Sequence, residues 1–213
     1  MRPPPRPLTS DRLLAAYRRG WFPMADPLTG AIEWFNPDPR AIFPLDAFHV
    51  PESLARVVRR DRFEIRCDTS FEQIVRNCAA PRDTDDLTWI DERIVSAYVS
   101  LHESGHAHCV EAWREDRLVA GLYGVHIGAA FMGESMFRLD ERISIDASKV
   151  CLVHLVRWLQ HRGFLLLDTQ FYTDHLGQFG CVELPRTQYL GQLADAIGRD
   201  VPWGEFSAAD EDS

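Results

Sequence analysis

The sequence predicts an α+β fold, and three features predict it. Up to about residue 104 the apolar residues recur mostly at helical spacing. Three β-rich runs then follow one another from Ala107 to Phe137, and a helix, an apolar strand and two more helices close the chain.

Taken in order, Thr9, Ser10 and Asp11 offer N-cap oxygens ahead of Leu13, Leu14 and Tyr17, and Gly20 supplies a stop, which predicts a short helix. From Trp21 to Pro44 the chain is rich in Pro, Gly and aromatics without sustained periodicity, which predicts a packed, irregular segment. Pro51-Glu52-Ser53 opens a helix that ends in the arginines of 56–60. Phe63 to Cys67 alternates as a strand does, and Ser70 starts another helix. Residues 90–104 form a helix with Ile94, Ala97, Tyr98 and Leu101 on one side and Gly105 past its end. Ala107–Arg114, Leu118–Ile127 and Ala129–Phe137, broken at Glu115-Asp116 and Gly128, predict an antiparallel meander. A helix runs on from Asp146, Phe164–Gln170 is a nearly continuous apolar strand, and helices at about 173–180 and 186–198 follow. Three parts result: a small N-terminal domain (1–62), a larger mixed-sheet domain (63–206) and an acidic tail (207–213).

The 213 residues are 46% hydrophobic and include six Trp, twelve Phe and five Tyr, enough apolar surface for a buried core. The net charge is −9, split into +3 over residues 1–62 and −12 beyond. That balance argues against coating DNA or an anionic membrane with the whole surface, and leaves room for a local basic patch. Five cysteines without C-x-x-C spacing predict buried thiols in a reducing compartment. Met1 to Pro7 has no apolar signal core behind it, and the most apolar stretch, Leu118–Gly133, is too short and glycine-rich to span a bilayer, so a cytoplasmic chain is expected.

Several groups of residues can carry chemistry. His102-Glu103-Ser104-Gly105-His106 satisfies H-E-x-x-H, but zinc binding requires both histidines on one face of a continuing helix. Ser104-Gly105 ends the helix, so the expectation is a helix C-terminus with a histidine near its negative end, and no metal. On the strand ending Leu167-Asp168-Thr169-Gln170, Asp168 and Gln170 share a face. A carboxylate and an amide there are costly to bury unless paired, which fits either a ligand site or a hydrogen-bonded structural pair. Glu134 interrupts an apolar β-run, as an outward-facing residue or as a buried charge. Arg56, Arg59 and Arg60 stand at helical spacing, a stripe that suits phosphates or simply faces solvent.

Further segments add a pattern of order and spacing: Tyr17-Arg18-Arg19-Gly20-Trp21-Phe22-Pro23, Trp34 to Arg40, Thr88-Trp89-Ile90, Gly105 to His108 with Val110 to Trp113, Gly121 to Val125, Gly133 to Phe137, Ala147-Ser148-Lys149, and Asp168 through Asp174-His175 to Pro185-Arg186. From about Leu13 to Leu190 the chain resembles the leucyl/phenylalanyl-tRNA–protein transferase family. The resemblance implies a larger domain similar to the acetyltransferase-like (GNAT) fold. It also implies a cytoplasmic enzyme of the N-degron pathway without a cofactor. Such an enzyme moves leucine or phenylalanine, methionine less well, from Leu-tRNA or Phe-tRNA to the N-terminal Arg or Lys of a protein; for oligomeric state a monomer is the default expectation.

The same resemblance makes Asp168 and Gln170 the catalytic pair, and Leu122, Phe131, Leu152 and Leu155 the apolar pocket for the transferred side chain. Trp89 becomes the aromatic against the terminal adenosine, Tyr17 and Glu134 lie at the site, and the helix of Arg56, Arg59 and Arg60 holds the tRNA acceptor stem. Departures are Met24 in place of a second adenosine-contacting tryptophan, a longer loop at 138–145, and a shorter N-terminus.

The implied reaction is aminolysis of an activated ester by an α-amine of pKa about 7.7–8.0, much of it neutral already. A carboxylate of ordinary pKa, about 3.9 for aspartate, is a weak base for it. The expected division of labour has Asp168 holding the side-chain NH₂ of Gln170 while the Gln170 carbonyl oxygen accepts from the amine. Two other classes compete. A coenzyme-A acyltransferase needs a glycine-rich pyrophosphate loop where this chain reads Ile143-Ser144-Ile145-Asp146-Ala147-Ser148-Lys149, without glycine. A non-catalytic tRNA-binding module needs the arginines and Trp89 but not Asp168 and Gln170.

Overall fold

The computed structural model describes residues 7–81, 87–139 and 142–208. The acidic tail expected at 207–213 and the longer loop at 138–145 therefore lie partly outside the described residues. Seven helices and nine strands are assigned among those described: α1 (Ser10–Tyr17), β1 (Phe22–Ala25), β2 (Ile32–Phe35), β3 (Arg40–Phe43), α2 (Glu52–Arg59), β4 (Glu64–Cys67), α3 (Phe71–Ala79) and α4 (Glu92–Glu103). The meander β5 (Ala107–Arg114), β6 (Arg117–Ile127) and β7 (Ala130–Arg138) follows, then α5 (Ala147–Arg162), β8 (Leu166–Gln170), α6 (Asp174–Gly177), β9 (Val182–Leu184) and α7 (Arg186–Ile197). The fold is α+β with a mixed sheet.

Local chemistry sets the helix starts. Thr9 Oγ1 accepts from Arg12 N, and Asp91 Oδ1 accepts from both Arg93 N and Ile94 N, each cap contributing about 1 kcal/mol. Helix α5 ends on Gly163 in the left-handed conformation, a cheap C-terminus for glycine alone. Asp68 and Glu111 tie the start of α3 to β5. Glu111, fully buried, accepts from Thr69 N, Thr69 Oγ1, Ser70 N and Trp113 Nε1 at 2.5–2.7 Å, so its burial cost is offset by four donors.

Seven strands form one sheet in the order β4-β5-β6-β7-β8-β3-β9. All neighbours are antiparallel except β7 and β8, which α5 connects by the crossover a parallel pair requires. One core lies between the sheet and α1, α3, α4 and α7, and a second between its other face and α2 and α5. Strand β8 is interior, flanked by β7 and β3, which is why Leu166 and Leu167 are both buried. Among the described residues no helix is long and apolar enough to cross a membrane.

The segment Trp21–Pro44 differs from expectation. It is not irregular: β1 and β2 form an antiparallel hairpin closed by an Asp26 turn, and β3 inserts between β8 and β9. Phe22–Ala25 and Arg40–Phe43 do not alternate apolar with polar residues, so no strand period registers, and Pro23 is tolerated in a two-stranded ribbon where its missing N–H costs no ladder bond. Strand β9 is a second difference, since three edge residues carry no period. Ahead of the division expected at residue 62, β3 belongs to the main sheet and α2 packs on α5.

Candidate active site

A cavity of about 410 Å³ opens where β6, β7 and β8 face the middle of α5. Leu122, Met136, Leu152, Leu155 and Leu167 make its apolar wall, with Phe43 and Leu176. Glu134 and Gln170 bring polar groups to the same wall from the neighbouring strands β7 and β8. Three of the four residues expected in the apolar pocket therefore line one cavity. Phe131 does not face it, because it is fully buried in the core beneath, beside Trp203.

Asp168 stands directly behind Gln170. Arg40 Nε and Nη2 donate to its two oxygens at 2.8 and 2.6 Å, with neither side chain exposed. Tyr189 Oη donates to Oδ2 at 2.9 Å, and Gln170 N to Oδ1 at 2.9 Å. Burial alone would lower the Arg40 pKa, but the Asp168 charge and hydrogen bonds outweigh it and hold the guanidinium firmly protonated. The bond from Asp168 goes to the backbone of Gln170, not to its side-chain NH₂. Glu134 Oε1 accepts from Gln170 Nε2 at 3.2 Å, and that corrects the expected partner. Gln170 also sits at φ +60°, a left-handed conformation that a non-glycine residue adopts at a cost on the order of 1 kcal/mol.

Glu134 is half-buried, with Tyr17 Oη at 2.7 Å and Tyr98 Oη at 2.9 Å in hydrogen-bond contact with its carboxyl and with each other. The two phenolic protons supply only two of these three contacts at a time unless Glu134 carries a proton. Desolvation pushes its carboxyl up to about 7, against the tyrosine bonds and the Arg40 charge, which pull it down; the Asp168 charge adds to the rise. Burial raises the phenols of Tyr17 and Tyr98 as well, so both remain protonated donors. Tyr123 lines the cavity with its hydroxyl buried and unpartnered among the described residues. The arrangement is a mostly apolar pocket with an amide and a carboxylate near neutrality at one wall, braced by a buried ion pair.

The other expected residues lie elsewhere. Trp89 is partly buried beside the hairpin, and its carbonyl accepts from Ala25 N at 3.0 Å. Arg56, Arg59 and Arg60 are exposed on α2, with Arg59 bonded to Glu52 at 2.9 Å. Arg40, Tyr98, Tyr189 and Met136 are not among the expected site residues, although Arg40 closes the Trp34–Arg40 segment. A single basic residue in a loop-like stretch gives no signal of burial.

The H-E-x-x-H histidines do not converge. His102 Nδ1 bonds Ala107 O at 2.8 Å, and His106 Nδ1 bonds His126 O at 3.4 Å. His102 does lie near Asp68 and His108, with ligand-type atoms within 4.8 Å of one another. Those atoms are already engaged, His108 Nδ1 with Asp68 Oδ2 at 2.7 Å and Cys109 N with Asp68 Oδ1 at 2.8 Å.

Comparison with known proteins follows the same residues. The family model described as "Leucyl/phenylalanyl-tRNA protein transferase" matches residues 42–194, and the model of that family's N-terminal domain matches residues 6–38. A leucyl/phenylalanyl-tRNA–protein transferase of Paramagnetospirillum magneticum is 50% identical over 204 residues, 95% of each chain. One from Nitrobacter winogradskyi is 48% identical over 198 residues, 92% of this chain and 86% of that one. A solved GCN5-related N-acetyltransferase-like protein from Streptococcus suis overlays 82% of this chain and 64% of that one at 14% identity and a TM-score of 0.39. With the family model spanning the cavity-bearing sheet and relatives of near-equal length at half identity, the chain belongs to the leucyl/phenylalanyl-tRNA–protein transferase family, a family of aminoacyltransferases.

Proposed function

We propose that this chain moves Leu or Phe, and Met less well, from aminoacyl-tRNA to the N-terminal Arg or Lys of acceptor proteins in the cytoplasm, creating an N-degron. The observation that carries the reading is the apolar cavity with Gln170 and Glu134 at one wall and the Arg40–Asp168 pair behind them. An apolar pocket of this size takes a leucine or phenylalanine side chain but separates similar side chains only modestly. Trp89 and the α2 arginines Arg56, Arg59 and Arg60 take the adenosine and the acceptor stem.

The reaction is direct aminolysis. The acceptor nitrogen attacks the ester carbonyl carbon, a C–N bond forms, the C–O bond to the ribose breaks, and the proton given up by the amine ends on the departing ribose oxygen as its hydroxyl. Gln170 Oε1 accepts from the incoming amine while Glu134 holds its Nε2. Asp168 is a positioning residue, since both of its oxygens are committed to Arg40, Tyr189 and the Gln170 backbone. Glu134, poised near neutrality, is the acid–base group beside the amine. With Glu134 ionised, the Arg40–Asp168–Glu134 group is net negative and suits a cationic acceptor. Most of the acceleration comes from positioning, without a covalent intermediate.

The test is transfer of labelled leucine from Leu-tRNA to a peptide beginning with Arg, beside the same peptide beginning with Ala. Transfer to the Arg peptide alone, lost in Gln170→Ala with tRNA binding retained, supports the reading. Retained tRNA binding with no transfer by the wild type overturns it in favour of a binding module.

A further inference from the structure

A second concavity lies on the N-terminal hairpin, outside the cavity described above. Helix α1 and the turn after it present Arg12, Ala15, Ala16 and Arg19 at intervals of three, four and seven residues, one helical face. The two alanines leave a floor, and Trp21 and Trp34 raise walls around a cleft of about 290 Å³. Trp21 is 42% exposed, unusual for so large an apolar ring. The Arg12 guanidinium lies 5.2 Å from the Trp34 ring centroid. The lining holds two guanidinium groups and two indoles, and no acid.

Exposed indole planes beside guanidinium groups make a stacking platform with a phosphate clamp, which is how single-stranded nucleic acid is held. An acidic peptide would use the cations but has no need of two aromatic planes. The location narrows the occupant further. Gly20, between Arg19 and Trp21, gives its carbonyl to Arg40 Nη1 at 3.0 Å, and Arg40 holds Asp168. Phe22, next after Trp21, packs edge-on against Phe171, the residue after Gln170, with ring centroids 5.8 Å apart. The cleft is thus separated from the Gln170 layer by one or two residues of chain.

We propose that this cleft is a nucleotide subsite for the single-stranded 3′ end of the aminoacyl-tRNA. It takes a base against Trp21 and Trp34 and its phosphate on Arg12 and Arg19, upstream of the adenosine that carries the ester. The proposal rests on the transferase reading for its choice of ligand.

The test measures binding of the trinucleotide CCA and of adenosine to the full-length protein by equilibrium dialysis. A stacked base is worth about 1–3 kcal/mol, so CCA is expected to bind roughly 5- to 150-fold more tightly than adenosine. Trp21→Ala removes most of that advantage and leaves adenosine affinity unchanged. Arg19→Ala reduces the slope of log K against log salt by about 0.7. Trp34 packs on the core, so Trp34→Phe, which keeps a plane, is expected to keep the advantage.

Equal binding of CCA and adenosine, or a Trp21→Ala variant that binds CCA normally, overturns the subsite. So does a hexaglutamate peptide that competes with CCA at low concentration in the wild type and not in Trp21→Ala. Leucine transfer is assayed in parallel. A CCA advantage lost in Trp21→Ala, with no transfer by the wild type, keeps the subsite and overturns the transferase reading. Transfer without a CCA advantage does the reverse.

Discussion

Arg40 and Asp168, 128 residues apart in the chain, meet in a bidentate ion pair with no exposed surface on either side chain. The pair is possible because β3 lies beside β8, and it explains how a carboxylate can sit inside the sheet under the cavity wall. Its partners also decide the role of Asp168. A carboxylate with four donors is held in place, and holds the Gln170 backbone in turn.

Breaking this pair is expected to be costly. Arg40→Met leaves Asp168 buried and unpaired and should destabilise the fold by about 3–5 kcal/mol, read from urea denaturation. The double variant Arg40→Met/Asp168→Leu should recover much of that stability while transfer stays lost. Full recovery of transfer in the double variant would refute the positioning role.

Glu134 gives a pH dependence with a definite sign. Its folded pKa, about 7, lies above the ordinary 4.5, so the folded state binds an extra proton between those values. The group's contribution to stability is therefore full below about 4.5 and is lost as pH rises to about 7. Glu134→Gln removes the dependence, so the variant's Tm relative to wild type should be higher at pH 8 than at pH 5. In transfer assays, wild-type log kcat/KM should fall on the acid side through two groups, the amine and Glu134. The variant, slower overall, should retain only the amine's limb.

Cavity volume sets the donor side chain. Leu155→Phe narrows the wall that Leu122 and Leu152 share, and should lower the rate with Phe-tRNA at least tenfold relative to Leu-tRNA in competition assays. Equal loss with both donors would place the transferred side chain elsewhere.

The α2 arginines act through charge. Replacing Arg56, Arg59 and Arg60 by Gln should weaken tRNA binding and lower its salt slope by about 0.9 for each phosphate no longer neutralised. All three are exposed, so the melting temperature should move little. A salt slope equal to wild type would remove the stripe from the tRNA interface.

Glu111 is a structural test away from the chemistry. Glu111→Ala strips five donors, the backbone N–H groups of Thr69 and Ser70, Thr69 Oγ1, Trp113 Nε1 and Cys109 Sγ, of their acceptor and should cost on the order of 3 kcal/mol by denaturation.

The sequence by itself carried the order of elements from α2 to α5 and the strand bearing Asp168 and Gln170. Those elements are long and periodic, and helical or strand spacing acts over a few residues. Gly105 marked the end of α4 for the same local reason. Resemblance of short segments added Leu122, Leu152, Leu155 and Glu134, which line one cavity with Gln170.

Tertiary structure alone decided the rest. The β1–β2 hairpin and β3 are short strands in which β1 and β3 show no apolar–polar alternation; the hairpin pairs with itself, and β3 forms because β8 and β9, distant in sequence, complete its ladders. Arg40 reaches Asp168 only once β3 is placed beside β8. Glu134 gains its raised pKa only once the fold takes it out of bulk water, against the Tyr17 and Tyr98 bonds that pull it down. Phe131 shows the converse, since its residue type suits a pocket but its place on β7 puts it in the core. Burial and charge pairing depend on which strands become neighbours, and that is settled by packing the whole chain rather than by any stretch of it.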